Sequence, residues 1–234
     1  FFSQSARPMA VKFTYFALWA KGPACAVALE KSSLSWEGAN PDNWKAQKAT
    51  TPWRELPILE IPGAGTIGHE LAILNYIGRQ DPKMAGESEK DYLASQQLLF
   101  EAEDIYKSLG QKQDTLFAKD KIPKEELAKF WGEPDQTTHN KDFGIGVYLQ
   151  LLEEFYAKCA AGDGKFTTSG CTVGECKLWA TLHMLKMIKE DVLAPFAGVL
   201  RFYTRFSAEP EAQKILTTGG AMGKPFAQYF VAPA

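Results

Sequence analysis

Four cysteines and three histidines are the residues of this chain with the shortest route to nucleophilic or metal chemistry. Thiolate sulfur and imidazole nitrogen serve as nucleophiles and ligands only when a partner stands at a suitable spacing. Cys25, Cys159, Cys171 and Cys176 contain no CxxC pair. That argues against a dithiol redox motif and a disulfide scaffold, and fits a reducing compartment. His69, His139 and His183 have no metal-ligand spacing with the cysteines, and Cys171-x4-Cys176 stands alone, so no metal is expected. Cys25 follows a turn near a helix start, where a thiolate would be favoured, but a buried structural thiol is the simpler reading. Trp44 and Lys48 stand at i,i+4 spacing in the polar stretch Asn40 to Thr51, which reads as a loop with a helical turn.

The elements that must position such residues alternate in the first third of the chain. Ala10 to Phe16 (AVKFTYF) reads as a strand, and Ala24 to Lys31, after the Gly22-Pro23 breaker, reads as a helix. Leu34 to Trp36 follows as a short strand. Leu56 to Ile61 is a strand opening with a proline, and Gly63-Ala64-Gly65 turns it into a hairpin partner at Thr66-Ile67. Glu70 to Arg79 has a broad apolar helical face built on Leu71, Leu74 and Ile77. The order βαβ then ββα predicts a small α/β domain over residues 9–80.

Asp81-Pro82 ends that helix, and residues 81–88 read as an interdomain linker. Residues 89–234 read as an all-helical bundle with helices at Lys90 to Leu109, Lys124 to Phe130 and Phe143 to Cys159, and an irregular stretch at Gly110 to Asp142. Thr172-Val173-Gly174-Glu175 is a T-x-x-E capping box before the apolar run Leu178 to Ile188. The aromatics Phe226, Tyr229 and Phe230 predict a tail that packs back on the body.

A formal net charge of −2 supplies no basic field for nucleic acid or anionic lipid. No apolar run approaches the roughly 20 residues of a membrane-spanning helix, so a soluble protein is expected. Phe1 to Pro8 contains Ser and Arg and no acid, as suits a processed transit peptide or an artificial leader equally. The expected location is the cytoplasm or an organelle stroma or matrix.

Several motifs occur together in an informative order: Tyr15-Phe16-x-Leu18, Trp44-x-x-x-Lys48, Glu55-Leu56-Pro57-Ile58-Leu59-Glu60, Leu71-Ala72-Ile73-Leu74-x-Tyr76-Ile77 and the Thr172 to Glu175 box. In this the chain resembles the cytosolic glutathione transferases, most closely the sigma-like class. The resemblance implies a thioredoxin-like α/β domain followed by an all-helical domain, with glutathione as co-substrate. It implies that Tyr15 stabilises the glutathione thiolate and that Leu56-Pro57 is a cis-proline turn presenting the Leu56 backbone to the cysteinyl part. Trp44 and Lys48 would contact the glycine carboxylate. Trp19 and Tyr106 would line the pocket for a small apolar electrophile, and a homodimer would form with the helix after the linker at its interface.

The sequence departs from the family pattern in two places. His69-Glu70 stands where the family has Gln-Ser, at the expected site of the γ-glutamyl carboxylate. Glu70 there would repel that carboxylate by roughly 1 to 4 kcal/mol. A protonated His69, or a ligand ammonium on Glu70, would offset part of this. Trp19-Ala20-Lys21-Gly22-Pro23, in what reads as a longer loop, replaces a usual Arg. Two functions stay open: conjugation or isomerisation of electrophiles with glutathione, and a non-catalytic interaction or structural subunit of a larger assembly with a vestigial site.

Overall fold

The structure is a computed structural model that describes residues 9–111, 131, 144–159 and 161–230. Phe1 to Pro8, the helix expected at Lys124 to Phe130, His139 and most of the irregular Gly110 to Asp142 stretch lie outside the described residues.

Strand β1 (Val11–Thr14) turns Val11 and Phe13, then Tyr15 just beyond its end, into the core; on the other face Lys12 is exposed and Thr14 is covered. That period of two sets one face of the sheet against the core. β1 pairs in parallel with β3 (Trp36–Ala39) and antiparallel with β4 (Ile58–Ile61), placing Phe13 opposite Gly38 on one side and Leu59 on the other. β4 continues into β5 (Gly65–Gly68), giving the order β3-β1-β4-β5. Helix α1 (Gly22–Lys31) is the crossover between the parallel strands, and its residues from Ala24 to Leu29 are essentially inaccessible. The third strand begins at Trp36, where the short expected strand ended, because the ladder to β1 starts at the Val11–Trp36 pair.

The polar stretch folds into α2 (Trp44–Gln47) and two short 3-10 turns, Lys48–Thr50 and Pro52–Arg54. Helix α3 (Glu70–Gln80) buries Ile73 and Leu74 and, one turn on, Ile77. The expected linker contains one helical turn, α4 (Pro82–Ala85), whose start is capped by Asp81 accepting the Lys83 N–H at 3.3 Å. Asp81 also accepts the Ser33 N–H at 2.9 Å, which fastens the linker to the end of α1.

Helices α5 (Glu89–Gly110), α6 (Ile145–Cys159), α7 (Val173–Ile188), α8 (Ala197–Ser207) and α9 (Pro210–Thr218) form the second layer. The fold is thus a thioredoxin-like α/β unit followed by helices. α7 is the central element, buried along most of its length against α5, α1 and α8. Among the described residues no helix is long and apolar enough to cross a membrane.

The capping box forms, and it does more than cap. Thr172 and Glu175 exchange hydrogen bonds across the helix start. The buried Glu175 carboxylate also accepts from the backbone N–H of Phe166 (2.9 Å) and Thr167 (3.2 Å) and from the Thr167 hydroxyl (2.6 Å). One side chain therefore orders both the first turn of α7 and the loop before it. Glu175→Ala is expected to destabilise the fold by about 3 kcal/mol or more, because it strips several buried donors of a charged acceptor. Urea unfolding of the variant against the parent chain measures this.

Candidate active site

Tyr15 follows β1 with its ring turned into the protein, only 6% exposed. Its hydroxyl accepts the Lys21 backbone N–H at 3.0 Å. Burial pushes the phenol pKa up; the Lys21 N–H acts against this and the nearby Glu70 charge adds to it. The turn can approach so closely only because residue 22 is glycine: a Cβ there would lie 2.1 Å from the Tyr15 ring. Phe16 is the next ring, edge-on to Tyr15 at 5.9 Å and to Trp44 at 5.8 Å.

Beyond Phe16, on the other face of the sheet, a hollow of about 310 Å³ is lined by Thr14, Trp44, Leu56 and Ile58 among others. The Leu56-Pro57 peptide bond is cis, as the resemblance implies. Lys48 caps α2 and is exposed. The structure thus gathers Trp44 and Leu56 around one hollow, with Tyr15 reached through Phe16 and Lys48 outside its lining.

Glu70 opens α3 but does not face outward. Its side chain is 1% exposed and reaches Lys177 Nζ at 2.7 Å, with Lys21 Nζ at 3.6 Å. Glu103 of α5 completes the group, 2.8 Å from Lys21 and 3.1 Å from Lys177. The Tyr106 ring lies under both ammonium groups, 4.4 Å from Lys21 and 5.0 Å from Lys177.

Burial alone would discharge these groups, and their pairing decides how far it succeeds. Glu70 is still raised, burial outweighing the two lysines. Glu103 is lowered, since Lys177 and Lys21 overcome its desolvation. Lys177, though fully enclosed, is held charged by Glu70 and Glu103. His69, immediately before, is exposed at φ 64°, with its ring 5.7 Å from the exposed ring of Trp53. It lies outside the charged cluster.

Trp19 and Tyr106 are brought to one region, but the chain itself fills the space around them. Trp19 belongs to a two-residue strand β2 (Leu18–Trp19) and is 2% exposed, its indole N–H donating to Ala180 O at 2.9 Å. β2 pairs in parallel with β6 (Ala227–Gln228) from the C-terminal segment. Phe226 packs on Trp19 at 6.1 Å and Phe230 on Tyr106 at 5.6 Å. His183 lies against the Trp19 ring at 4.2 Å and hydrogen-bonds the Tyr203 hydroxyl at 2.7 Å. Burial and Lys186 press its pKa down to about 4. Cys25 is fully buried, and burial followed by the Glu70 charge pushes its thiol well up, which suits a structural residue rather than a nucleophile.

Lys21, Glu103 and Lys177 are the residues that sequence reasoning passed over. Lys177 carried a signal: it is a charge inside the otherwise apolar start of α7, one residue before the run Leu178 to Ile188. A buried lysine of this kind calls for an acidic partner.

The β3-β1-β4-β5 sheet with a cis-proline just before β4, closed by a helical layer, is similar in fold to the glutathione transferases of known structure. The sigma class glutathione transferase of Fasciola hepatica superposes with a TM-score of 0.70 at 20% identity, covering 88% of this chain and 95% of that one. Prostaglandin synthase D of Nilaparvata lugens gives 0.68 at 18% identity, over 88% and 96%. In sequence, the chain is 26% identical over 173 residues to Glutathione S-transferase 1 of Ascaris suum, covering 73% of this chain and 75% of the relative. No family model matches.

Lys177→Met leaves Glu70 and Glu103 without their innermost cation and is expected to cost about 3 to 5 kcal/mol, whereas adding Glu70→Gln recovers much of that. A double-mutant cycle by urea unfolding measures the coupling. For His183 the folded pKa of about 4 lies below the ordinary 6.5, so the unfolded chain binds the extra proton. Its contribution is complete above pH 6.5 and fades as the pH falls towards 4, by on the order of 2 to 3 kcal/mol. Unfolding midpoints for the parent and His183→Phe over that window should diverge on the acid side.

Proposed function

We propose that the chain is a glutathione transferase of a sigma-like class, adding the glutathione thiol to small apolar electrophiles with Tyr15 donating to the sulfur. The observation that carries this reading is the Tyr15 hydroxyl. Its oxygen already accepts the Lys21 N–H, so its own proton is available to a ligand, and the donated hydrogen bond makes the phenol a better donor. Lowering a bound thiol by two pKa units takes about 2.7 kcal/mol, within reach of one hydrogen bond to a charged sulfur in a low-dielectric site. The Leu56 backbone beside the cis bond would pair with the cysteinyl unit, and Trp44 and Lys48 would meet the glycine carboxylate. Glu70 bears on this reading through its orientation. Turned inward onto Lys177 and Lys21, its charge is locally balanced, which lessens the repulsion on a ligand carboxylate near the start of α3.

The sheet unit, residues 9–80, would hold the tripeptide, and the exposed Tyr92, Leu93 and Phe100 on α5 with Leu151 on α6 supply an apolar face for a homodimer. The second reading is a non-catalytic subunit of a larger assembly. The occupation of the Trp19–Tyr106 space by the chain's own Phe226 and Phe230 favours it.

Calorimetric titration of glutathione at pH 6 and pH 8 separates the two. Binding at or below millimolar supports the transferase. No binding at either pH supports the subunit reading. Tyr15→Phe is expected to lower turnover at least tenfold, about 1.4 kcal/mol; unchanged activity removes Tyr15 from the mechanism.

A further inference from the structure

The hollow beneath α2 begins at the sheet edge where Tyr15 stands. Thr14, the residue before Tyr15, pairs with Ala39 on one side and Ile58 on the other, and all three line the hollow. Two residues further down the same face Lys12 pairs with Glu60, and Glu60 with Thr66, and these line it too. Two residues along a strand span about 7 Å, so the hollow runs at least that far down the face from the edge. It stays open because α2 and the two 3-10 turns after it bury none of their residues against the sheet. Its lining is rich in acceptors. Asn40 gives its Nδ2 to Met222 O at 3.3 Å, and its buried Oδ1 accepts no hydrogen bond. Thr50 and Thr51 direct their hydroxyl protons to Gln47 O and Lys48 O, at 2.9 and 3.0 Å. An acceptor sealed from water and left unpaired is costly, and a ligand N–H would relieve it. Lys12 is the single cation of the described lining and Glu60 engages it at 3.3 Å, whereas Asp42 has no ion-pair partner among the described residues. The lining thus carries more carboxylate than ammonium.

We propose that this hollow receives an extension at the glycine end of the tripeptide, so that the preferred thiol substrate is glutathione amidated at that end by a short chain carrying an ammonium group. The proposal rests on the transferase reading, which sets the cysteinyl unit on Leu56 and the glycine on Trp44; both residues line the hollow, and Lys48, the cation expected at a free glycine carboxylate, lies outside the lining. An amide in place of that carboxylate supplies the N–H that Asn40 Oδ1 lacks and removes an anion from the neighbourhood of Asp42. A hollow of about 310 Å³ has room for a short aliphatic chain running down the sheet face, and the terminal ammonium meets the acidic surplus of Asp42 and Glu60. An anionic extension of similar length would meet the same acids and be repelled.

The experiment titrates the full chain calorimetrically with glutathione, its propyl amide, its 3-aminopropyl amide and the tetrapeptide extended by aspartate. The readout is each Kd relative to that of glutathione in the same protein, so a change in tripeptide affinity cancels. In the parent chain the 3-aminopropyl amide is expected to bind at least fivefold tighter than glutathione, the propyl amide to fall between them, and the aspartate-extended peptide to bind more weakly than either amide. Thr66→Trp, which adds an indole to the hollow from an exposed position on the edge strand, should erase the gain. Asp42→Asn, at an exposed position outside the strands, should cut the gain of the 3-aminopropyl amide at least threefold, and it decides alone if Thr66→Trp fails to fold. Glutathione binding with no gain from either amide overturns the extension and leaves the transferase reading in place. A gain that neither variant reduces overturns it as well. Binding of the 3-aminopropyl amide by a chain indifferent to glutathione upholds the extension and narrows the transferase reading to extended thiols, and binding of none of the ligands removes both.

Discussion

The arrangement of the site depends on a cluster of opposite charges enclosed between the two layers. Lys177 sits at its centre with Glu70 and Glu103 at ion-pair distance, and Lys21 closes the group from the solvent side. Removing such groups from water is costly, and the cost is met only when each charge faces its opposite at contact distance. Here two cations meet two anions, and Tyr106 offers its ring face to both cations. The members come from the turn after β2, the start of α3, and helices α5 and α7. Holding the cluster together thus holds the sheet unit to the helices at one register. The same contacts fix the Lys21 backbone, and that backbone donates to Tyr15.

Around this polar centre the packing is aromatic and continuous. Trp19 meets Trp179 at 5.7 Å, and Trp179 stacks on Phe206 at 5.3 Å, with its indole N–H donating to the Ser207 hydroxyl. Rings in edge and offset contact bury large areas while leaving their N–H groups satisfied. The consequence for chemistry is asymmetric. The side near Trp44 and Leu56 keeps a hollow between sheet and α2, whereas the side near Trp19 and Tyr106 is lined and filled by one continuous aromatic wall.

The elements were legible wherever local signals sufficed. The β-branched and aromatic run Ala10 to Phe16 marked a strand, and the spacing of Leu74 and Ile77 marked the buried side of α3. Thr172 and Glu175 marked a helix start because capping is a contact between neighbours in the chain. Glu70 shows where such reading ends. From its position at a helix start, its charge was expected to face the ligand; the structure turns it inward, and the cause is Lys177, 107 residues away. Trp19 was likewise read as lining an open pocket, and its actual neighbours, Phe226 and Ala180, are far along the chain. Pairings of this kind leave no local pattern, so spacing alone does not reveal them.

The parallel pairing of Leu18 with Ala227 carries a consequence for synthesis. During translation β1, α1 and the hairpin emerge early, yet the strand that Trp19 belongs to lacks its only described partner until residues 227 and 228 have been made. Contacts so distant in sequence form late in folding, after the intervening helices have closed the gap. The side of the site around Trp19 therefore closes only after residues 227 and 228 have been made. A chain still leaving the ribosome would carry its sheet, and most of its helices, before it had a finished site.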